Sequence, residues 1–317
     1  MHQVSLNPRI GKNKMLWITG ASGFLGSHLI NSFKDVNPIC TSSKDVNLLC
    51  LEEVSKFVEN NKITSVVHAA GFVGGIGLHK ELPGDIALKN LRMGLNIIEA
   101  FSKIEGARVL IVSTVCIYPE NASVPISENL QHDGYPSPVT AYYGIAKKTL
   151  HVLAEAVSKQ ANFEYLNVIP TNLYGPNDHY DELKSHVVPA LIKRAHQAKV
   201  NGESEIVVWG DGTQIRDLLF VADAADWIRS IMDSNVKNET FNIGSRVGIS
   251  IKDLTLAICD VVGFKGDVIW DTSKPSGASR RLLDTSKVDK MVNSAQLISM
   301  QDGLKMTYHD FIRRGLQ

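Results

Sequence analysis

The sequence predicts an α/β fold, with a doubly wound parallel sheet followed by a smaller, mostly helical C-terminal domain. Over the first half of the chain, short apolar runs alternate with segments in which apolar residues recur at helical spacing. A glycine-rich turn joins the first run to the first helical segment, and the alternation loosens after Pro170. Such alternation is typical of βαβ units, which build a parallel sheet with helices on both faces.

Four predicted strand–helix pairs occupy the first half of the chain. The strands are short apolar runs at 15–20, 37–43, 63–71 and 107–118. The helices that follow them have apolar residues on neighbouring turns, at 24–34, 48–61, 85–104 and 142–160. A polar, proline-bearing loop at 120–140 precedes the fourth of these helices.

The second half of the chain is less regular. A strand at 163–176, a helix at 186–199 and a strand at 204–212 are predicted first. A helix at 223–234 and a strand at 240–244 could return to the first sheet, and a helix at 250–263 opens a mostly helical C-terminal part. The sequence therefore predicts two domains, one formed by 1–169 with about 217–248 and the other by 170–216 with about 249–317.

The charge balance limits the kinds of partner. Lysine and arginine together number 33, as do aspartate and glutamate, so no overall field would attract nucleic acid. An anionic ligand would have to be held by local arginines. The four cysteines, Cys40, Cys50, Cys116 and Cys259, have no metal-ligand spacing and suit a reducing compartment.

The sequence also suggests where the protein resides. The first 14 residues are polar and lack the apolar core of a secretory signal. No apolar run approaches the roughly 18 residues that a membrane-spanning helix requires. We therefore expect a cytoplasmic protein without a membrane partner.

A glycine pattern follows the first predicted strand. In "TGASGFLG", Gly20, Gly23 and Gly26 are spaced G-x-x-G-x-x-G at the opening of a helix. The first glycine permits a tight turn, the second lets the backbone approach a pyrophosphate, and the third lets the helix pack on the strand. Because the pattern lies between a strand and a helix, it predicts a dinucleotide site in a Rossmann-type sheet.

The residues at the end of the second predicted strand distinguish an NAD site from an NADP(H) site. NAD sites usually place a carboxylate there to bind the ribose 2′-hydroxyl. This chain instead has Thr41, Ser42, Ser43 and Lys44, whose hydroxyls and ammonium suit a 2′-phosphate. NADP(H) is therefore favoured, and NAD remains the alternative if Asp45 turns inward.

Tyr143 and Lys147 are four residues apart on a predicted helix, so their side chains share one face. A tyrosine with its ordinary pKa of about 10 is a poor acid–base group at neutral pH. A neighbouring ammonium lowers that pKa, and Thr114 at the end of the fourth strand could share the hydrogen bond to a substrate oxygen. This combination predicts proton transfer to or from a carbonyl or alcohol oxygen.

The chain resembles the GDP-L-fucose synthase family of the extended short-chain dehydrogenases/reductases over nearly its full length. The segments that carry the resemblance are "TGASGFLG", "HAAG", "VGGI", "STVCIYP", "YYGIAK", "PTNLYGPND", "SHVVPALIKR", "VVWGDGTQIRDLLFVAD" and "SGASRRLLD". It implies an NADPH-dependent 3,5-epimerisation and 4-keto reduction of a GDP-4-keto-6-deoxy-hexose, most simply forming GDP-L-fucose.

The resemblance implies a role for each catalytic residue. Thr114, Tyr143 and Lys147 would form the reductase triad, and Cys116 and His186 would be the acid/base pair for epimerisation. A thiol and an imidazole suit this task, because both titrate nearer neutrality than most groups.

The resemblance also implies binding residues. On the cofactor side these are Gly20, Ser22, Gly23, Phe24, Leu25, Gly26, Ser42, Ser43, Lys44, Asn47, Leu48, Ala69, Ala70, Gly71, Tyr143, Lys147, Pro170, Asn172, Leu173 and His186. On the substrate side they are Asn172, Val187, Arg194, Trp209, Arg216 and Arg281. The arginines would hold the diphosphate, and Trp209 would cover the guanine or the sugar.

Three other functions are alternatives to the implied epimerase/reductase. A 4,6-dehydratase would need an Asp–Glu pair where this chain has Val115 and Cys116. A 4-reductase or C4 epimerase acting on another GDP- or NDP-sugar, such as a GDP-heptose or colitose precursor, stays open. A dinucleotide-binding regulatory protein is disfavoured by the intact Thr–Tyr–Lys set.

By resemblance, the helices at 86–104 and 142–159 would form a homodimer interface.

Overall fold

The computed structural model describes residues 15–181, 185–273, 280–292 and 297–316. The polar N-terminal stretch and the first residues of "SGASRRLLD" lie outside the described residues. The strands are β1 (Met15–Thr19), β2 (Ile39–Thr41), β3 (Ile63–His68), β4 (Ala107–Val112), β5 (Phe163–Pro170), β6 (Asn172–Tyr174), β7 (Glu205–Trp209), β8 (Ile215–Phe220), β9 (Glu239–Ile243), β10 (Gly248–Ser250), β11 (Asp267–Asp271) and β12 (Arg280–Arg281). The α-helices are α1 (Phe24–Ser32), α2 (Leu51–Asn60), α3 (Ile76–Glu81), α4 (Pro83–Ser102), α5 (Ala141–Ser158), α6 (Val187–Asn201), α7 (Val221–Asp233), α8 (Ile251–Val262) and α9 (Met300–Arg313).

The central sheet confirms the predicted α/β class. Its six strands run parallel in the order β2-β1-β3-β4-β5-β9. The chain adds strands first on one side of β1 and then on the other, so the order reverses between β1 and β3. In open parallel sheets, ligands bind in the crevice at such a reversal, beyond the carboxyl ends of the strands.

Helices cover both faces of this sheet. On one face, Leu29 of α1 and Ile228 of α7 belong to one buried cluster. On the other face, Ile97 of α4 and Leu150 of α5 belong to a second cluster. All six residues of β4 are buried, which explains why that strand appears in the sequence as a continuous apolar run.

A second core lies outside the central sheet. It combines apolar residues of α6, β7, β8, α8 and α9, among them Leu191, Leu218, Ile258 and Phe311. In this part, β10, β8 and β12 form one small sheet with β6, while β11 pairs with β7. Within the described residues, every helix is too short or too polar to cross a lipid bilayer.

Two predicted strands are wrong in detail. The strand predicted at 107–118 ends at Val112, and Val115–Ile117 form a 3-10 turn capped by Thr114. The strand predicted at 163–176 is two strands in different sheets, β5 and β6. The C-terminal part is mostly helical as predicted, with α8 and α9, and it adds the short strands β11 and β12.

Candidate active site

The glycine loop between β1 and α1 has the shape that a dinucleotide requires. Gly20 has a positive φ of 68°, and a Cβ at this position would come within 2.6 Å of the Ala70 backbone. A Cβ on Gly26 would collide with the Gly20 carbonyl oxygen. The N-terminus of α1 has no side-chain cap and no acidic residue in its first turn. Its positive end is therefore suited to a pyrophosphate, and the close backbone packing fits the predicted cofactor.

The end of β2 lies beside this loop, and its donors already bind a carboxylate. The Ser42 backbone N–H and hydroxyl each donate to the same oxygen of Asp45, both at 2.7 Å. These bonds, the backbone N–H first, lower the pKa of Asp45. Ser43 and Lys44 are exposed. Ser42 therefore holds an anion where the sequence predicts the 2′-phosphate of NADP(H).

The remaining cofactor candidates lie near the same end of the sheet. Ala69, Ala70 and Gly71 follow β3, and Ala70 donates its N–H to the Thr19 hydroxyl at 3.3 Å. Asn47 and Leu48 follow β2, and Leu48 is fixed by a hydrogen bond from Asn96 to its carbonyl at 2.8 Å. Pro170 ends β5, Asn172 and Leu173 belong to β6, and Ser22, Phe24 and Leu25 lie in the glycine loop or at the start of α1.

The catalytic candidates Thr114 and Cys116 lie where β4 ends. The Thr114 hydroxyl accepts a hydrogen bond from the Cys116 N–H at 3.2 Å, which turns the chain out of the strand. Helix α5 packs closely on this turn, because a Cβ on Gly144 would collide with the Cys116 carbonyl oxygen. Lys147 strengthens the contact by donating to the Val112 carbonyl at 3.0 Å.

Tyr143 and Lys147 are both buried, with side-chain exposures of 7% and 3%, on the face of α5 that packs on this turn. Burial lowers the pKa of Lys147 to about 8. Burial also raises the pKa of Tyr143, and the nearby Cys116 adds to that effect. The sequence predicts that Lys147 lowers this pKa, but the pKa is raised instead. A neutral phenol is the form that can donate a proton.

His186 is the N-cap residue of α6, and its Nδ1 lies 3.7 Å from a carboxylate oxygen of Asp178. Burial by itself would lower the pKa of His186, but the Asp178 carboxylate outweighs this and raises it. Val187 is the first residue of the same helix.

His79 is a site residue that the sequence analysis missed. It lies on α3, is 8% exposed, and its ring meets the Tyr143 ring edge-on with centroids 5.8 Å apart. Burial lowers the pKa of His79, and the charge of His186 acts in the same direction. Cys116 and Tyr143 also pack in one apolar cluster with residues of α3 and α4. The thiol, the phenol and the His79 imidazole therefore lie close together, and His186 is near enough for its charge to act on His79.

Two of the predicted substrate arginines lie side by side. Arg281 of β12 and Arg216 of β8 are register partners. Arg281 is buried and donates to the Val115 carbonyl at 3.3 Å. This pair therefore borders the turn formed by Thr114 and Val115–Ile117, called the catalytic turn below. Burial and the charge of Arg281 lower the pKa of Arg216. Two adjacent guanidinium groups are suited to a diphosphate.

The other substrate candidates lie on β6, α6 and β7. Asn172 of β6 donates to the Asp217 carbonyl at 3.4 Å, next to Arg216 in sequence. Arg194 of α6 donates to the Val207 carbonyl of β7 at 2.5 Å. Trp209, at the end of β7, is 56% exposed, so it is not a core residue. Across the described ranges, no group of three His, Cys, Asp or Glu side chains is placed to bind a metal ion.

Comparison with known proteins adds to this geometry. The model of the NAD dependent epimerase/dehydratase family matches residues 16–244. The chain is 38% identical over 301 residues to a GDP-L-fucose synthase of Sinorhizobium fredii, covering 94% of this chain and 96% of the relative. It is 30% identical over 299 residues to a GDP-L-colitose synthase of Yersinia pseudotuberculosis, covering 93% and 97%.

Solved structures agree with the sequence comparison. A GDP-L-fucose synthetase of Naegleria fowleri, crystallised with NADP, superposes with a TM-score of 0.85 at 25% identity, and the match covers 96% of each chain.

Proposed function

Because this chain belongs to the NAD dependent epimerase/dehydratase family, and within it to the GDP-L-fucose synthases, we propose that it converts a GDP-4-keto-6-deoxy-hexose into GDP-L-fucose with NADPH. One observation carries the proposal beyond family membership. Thr114, Cys116, Tyr143 and Lys147 converge at the carboxyl end of β4, at the edge of the sheet where the glycine loop lies.

Epimerisation uses acid/base chemistry at the two carbons beside the ketone. Cys116 and His186 remove and return the protons at C3 and C5, one residue on each face of the sugar. The electron pair of each broken C–H bond moves to the C4 oxygen, where Thr114 and Tyr143 stabilise the enolate by hydrogen bonding. No net oxidation occurs in this stage.

Reduction then occurs at C4. Bound NADPH supplies the hydride to this carbon. Tyr143, kept neutral by burial, donates its phenolic proton to the C4 oxygen. The buried Lys147 ammonium stabilises the phenolate that remains, so that the proton can be replaced from solvent.

The substrate's charge is met by local cations in a chain without net charge. The neighbouring Arg216 and Arg281 bind the diphosphate beside the catalytic turn. Arg194 and the exposed Trp209 contact the nucleotide end. Residues 1–169 with about 217–248 bind NADP(H), and 170–216 with about 249–317 bind the GDP-sugar.

The assembly is proposed to be a cytoplasmic homodimer. The outer faces of α4 and α5 expose Leu88 at 61%, Tyr142 at 55% and Val152 at 48%, which supports an interface there. The free cysteines of the chain fit a reducing compartment. Light scattering that finds only monomer at micromolar concentration would contradict the dimer.

A 4-reductase acting on a related GDP-sugar is the second candidate, favoured by the similarity to a GDP-L-colitose synthase. NMR after incubation with GDP-4-keto-6-deoxy-mannose in D₂O separates the candidates. Deuterium at C3 and C5 without NADPH, and GDP-L-fucose with it, would support the main proposal. NADPH oxidation without deuterium at either carbon would indicate a 4-reductase, and no turnover would reject this substrate.

A further inference from the structure

Asp178, the buried carboxylate that raises the pKa of His186, belongs to none of the predicted catalytic or binding sets. It follows β6 in the loop that leads to α6, and its side chain is fully buried. One oxygen, Oδ1, accepts the His179 N–H at 2.7 Å, and the Asp178 carbonyl accepts a hydrogen bond from Arg314 at 2.9 Å. Both contacts fix the backbone and the carboxylate in one orientation.

The second oxygen of this carboxylate, Oδ2, is buried and has no hydrogen-bond partner in the part of the chain that the structure describes. The same is true of Nδ1 of His186, which lies 3.7 Å from Oδ1. Leaving a buried carboxylate incompletely paired is costly. The two incompletely satisfied groups face each other across a distance at which an ion pair forms once the imidazole is protonated.

The groups around His186 indicate which of the two imidazoles, His186 or His79, carries a proton. Two titratable groups influence or approach it, Asp178 from the loop after β6 and His79 from α3. Arg314 contacts Asp178 at its backbone carbonyl. The pKa of His186 is raised by Asp178 in spite of burial, whereas burial first and the His186 charge second lower the pKa of His79. Of the two imidazoles, His186 is therefore the one prepared to carry a proton.

We propose that Asp178 is the positioning residue of His186, holding its Nδ1 and stabilising the imidazolium that forms when Nε2 takes a proton from the sugar. This inference rests on the proposed function for the identity of the proton donor. In that step the C–H bond breaks, its electron pair passes to the enolate oxygen, and the proton bonds to Nε2. The positive charge then lies beside a carboxylate that the fold has already oriented.

The test is a titration of the histidine rings by NMR, with His186 assigned from the signal lost in His186→Gln. In the wild-type chain, His186 should titrate above the ordinary histidine value of about 6.5. In Asp178→Asn, which keeps the shape and removes the charge, its pKa should fall by about one unit or more. His309, exposed on α9, is the internal control and should not move. Asp267→Asn, an exposed carboxylate on β11, is the matched control variant.

Activity provides the second readout. Deuterium incorporation by Asp178→Asn should fall by about tenfold or more, and its pH profile should shift with the His186 titration. NADPH affinity should stay at the wild-type value. A His186 pKa that is unchanged in Asp178→Asn would overturn the inference, as would a wild-type pKa below the ordinary value.

The inference and the proposed function can fail separately. If Asp178→Asn does not fold, the wild-type titration alone still decides whether the pair exists. If the titration shifts as expected but the wild-type chain incorporates no deuterium, the Asp178–His186 pair is supported and the 3,5-epimerase function is rejected.

Discussion

The ring of His79 on α3 lies edge-on against the ring of Tyr143 on α5, with 5.8 Å between the centroids. Tyr143 is the proposed proton donor to the C4 oxygen, and its phenol has to point along one direction to do so. An aromatic edge contact restricts the rotation of the partner ring and is worth about 0.5–1.5 kcal/mol. His79 is therefore placed to orient the phenol.

Replacing His79 should test this packing role. His79→Ala should lower kcat by about three- to tenfold, because roughly 0.5–1.5 kcal/mol of orientation is lost and tenfold corresponds to about 1.4 kcal/mol. His79→Phe keeps the ring and should recover most of that loss. Steady-state kinetics of both variants provide the measurement. If the phenylalanine variant is as impaired as the alanine variant, the imidazole nitrogens contact the substrate instead.

Much of the fold could be predicted because its buried strands appear in the sequence as continuous apolar runs. The β4 strand is apolar throughout and was recognised, although its end was placed too late. The β8 strand was missed because it contains Arg216 and Asp217, which look like loop residues. The buried Asp217 is tolerated there because the Ser245 N–H and hydroxyl both donate to its carboxylate, at 2.8 and 2.7 Å.

From residue spacing alone, without the family resemblance, the candidate site could be predicted only where its residues share a local pattern. Tyr143 and Lys147 share one helix face, so their four-residue spacing identifies them as a pair in the sequence. His79 lies on a helix of six residues, too short for apolar periodicity to show, and only its place three residues after "VGGI" gave a signal. Asp178 and His186 are separated by a loop, and only tertiary structure brings them together.

Asp45 should oppose NADPH binding. Its carboxylate occupies the Ser42 N–H and hydroxyl, the donors expected to bind the 2′-phosphate. Asp45→Ala frees these donors and removes a like charge, so the Kd for NADPH should fall several-fold in a fluorescence titration. NADH lacks the phosphate, so its Kd should hardly change. Glu52→Gln, an exposed residue of α2, is the control for net charge. Weaker NADPH binding by Asp45→Ala would mean that Asp45 instead shapes the loop for the cofactor.

Gly144 should tolerate no side chain. A Cβ there would collide with the Cys116 carbonyl oxygen, and backbone cannot yield as a flexible side chain can. Gly144→Ala should therefore lower Tm and reduce both epimerisation and reduction, because it moves α5 away from the catalytic turn. Gly84→Ala is the matched control, since a Cβ at that position of α4 meets no atom within 4 Å. It should leave activity unchanged and should not lower Tm, because the added Cβ displaces no neighbour. Equal effects of the two substitutions on Tm and activity would contradict the close contact.

Lys147 should make stability depend on pH in the alkaline range. Burial lowers the pKa of its ammonium to about 8 in the folded chain, whereas a lysine in an unfolded chain titrates near about 10.4. Between these values the unfolded state binds more protons than the folded state, so the contribution of Lys147 to stability rises with pH. Below the folded pKa both states are protonated, and the buried charge destabilises the fold.

Lys147→Met isolates this effect. The variant also loses the hydrogen bond to the Val112 carbonyl, but this loss should vary little with pH. The measurement is therefore how the Tm difference between the wild-type chain and the variant changes with pH. Between pH 7 and about 10, the Tm of the wild-type chain should rise relative to that of Lys147→Met. Lys159→Met, at the exposed residue after α5, should show no such slope. The Lys147 variant should also lose reduction of the 4-keto sugar at every pH, since no ammonium remains to stabilise the Tyr143 phenolate. A Tm difference that stays constant from pH 7 to 10 would show that the ammonium is not destabilised by burial.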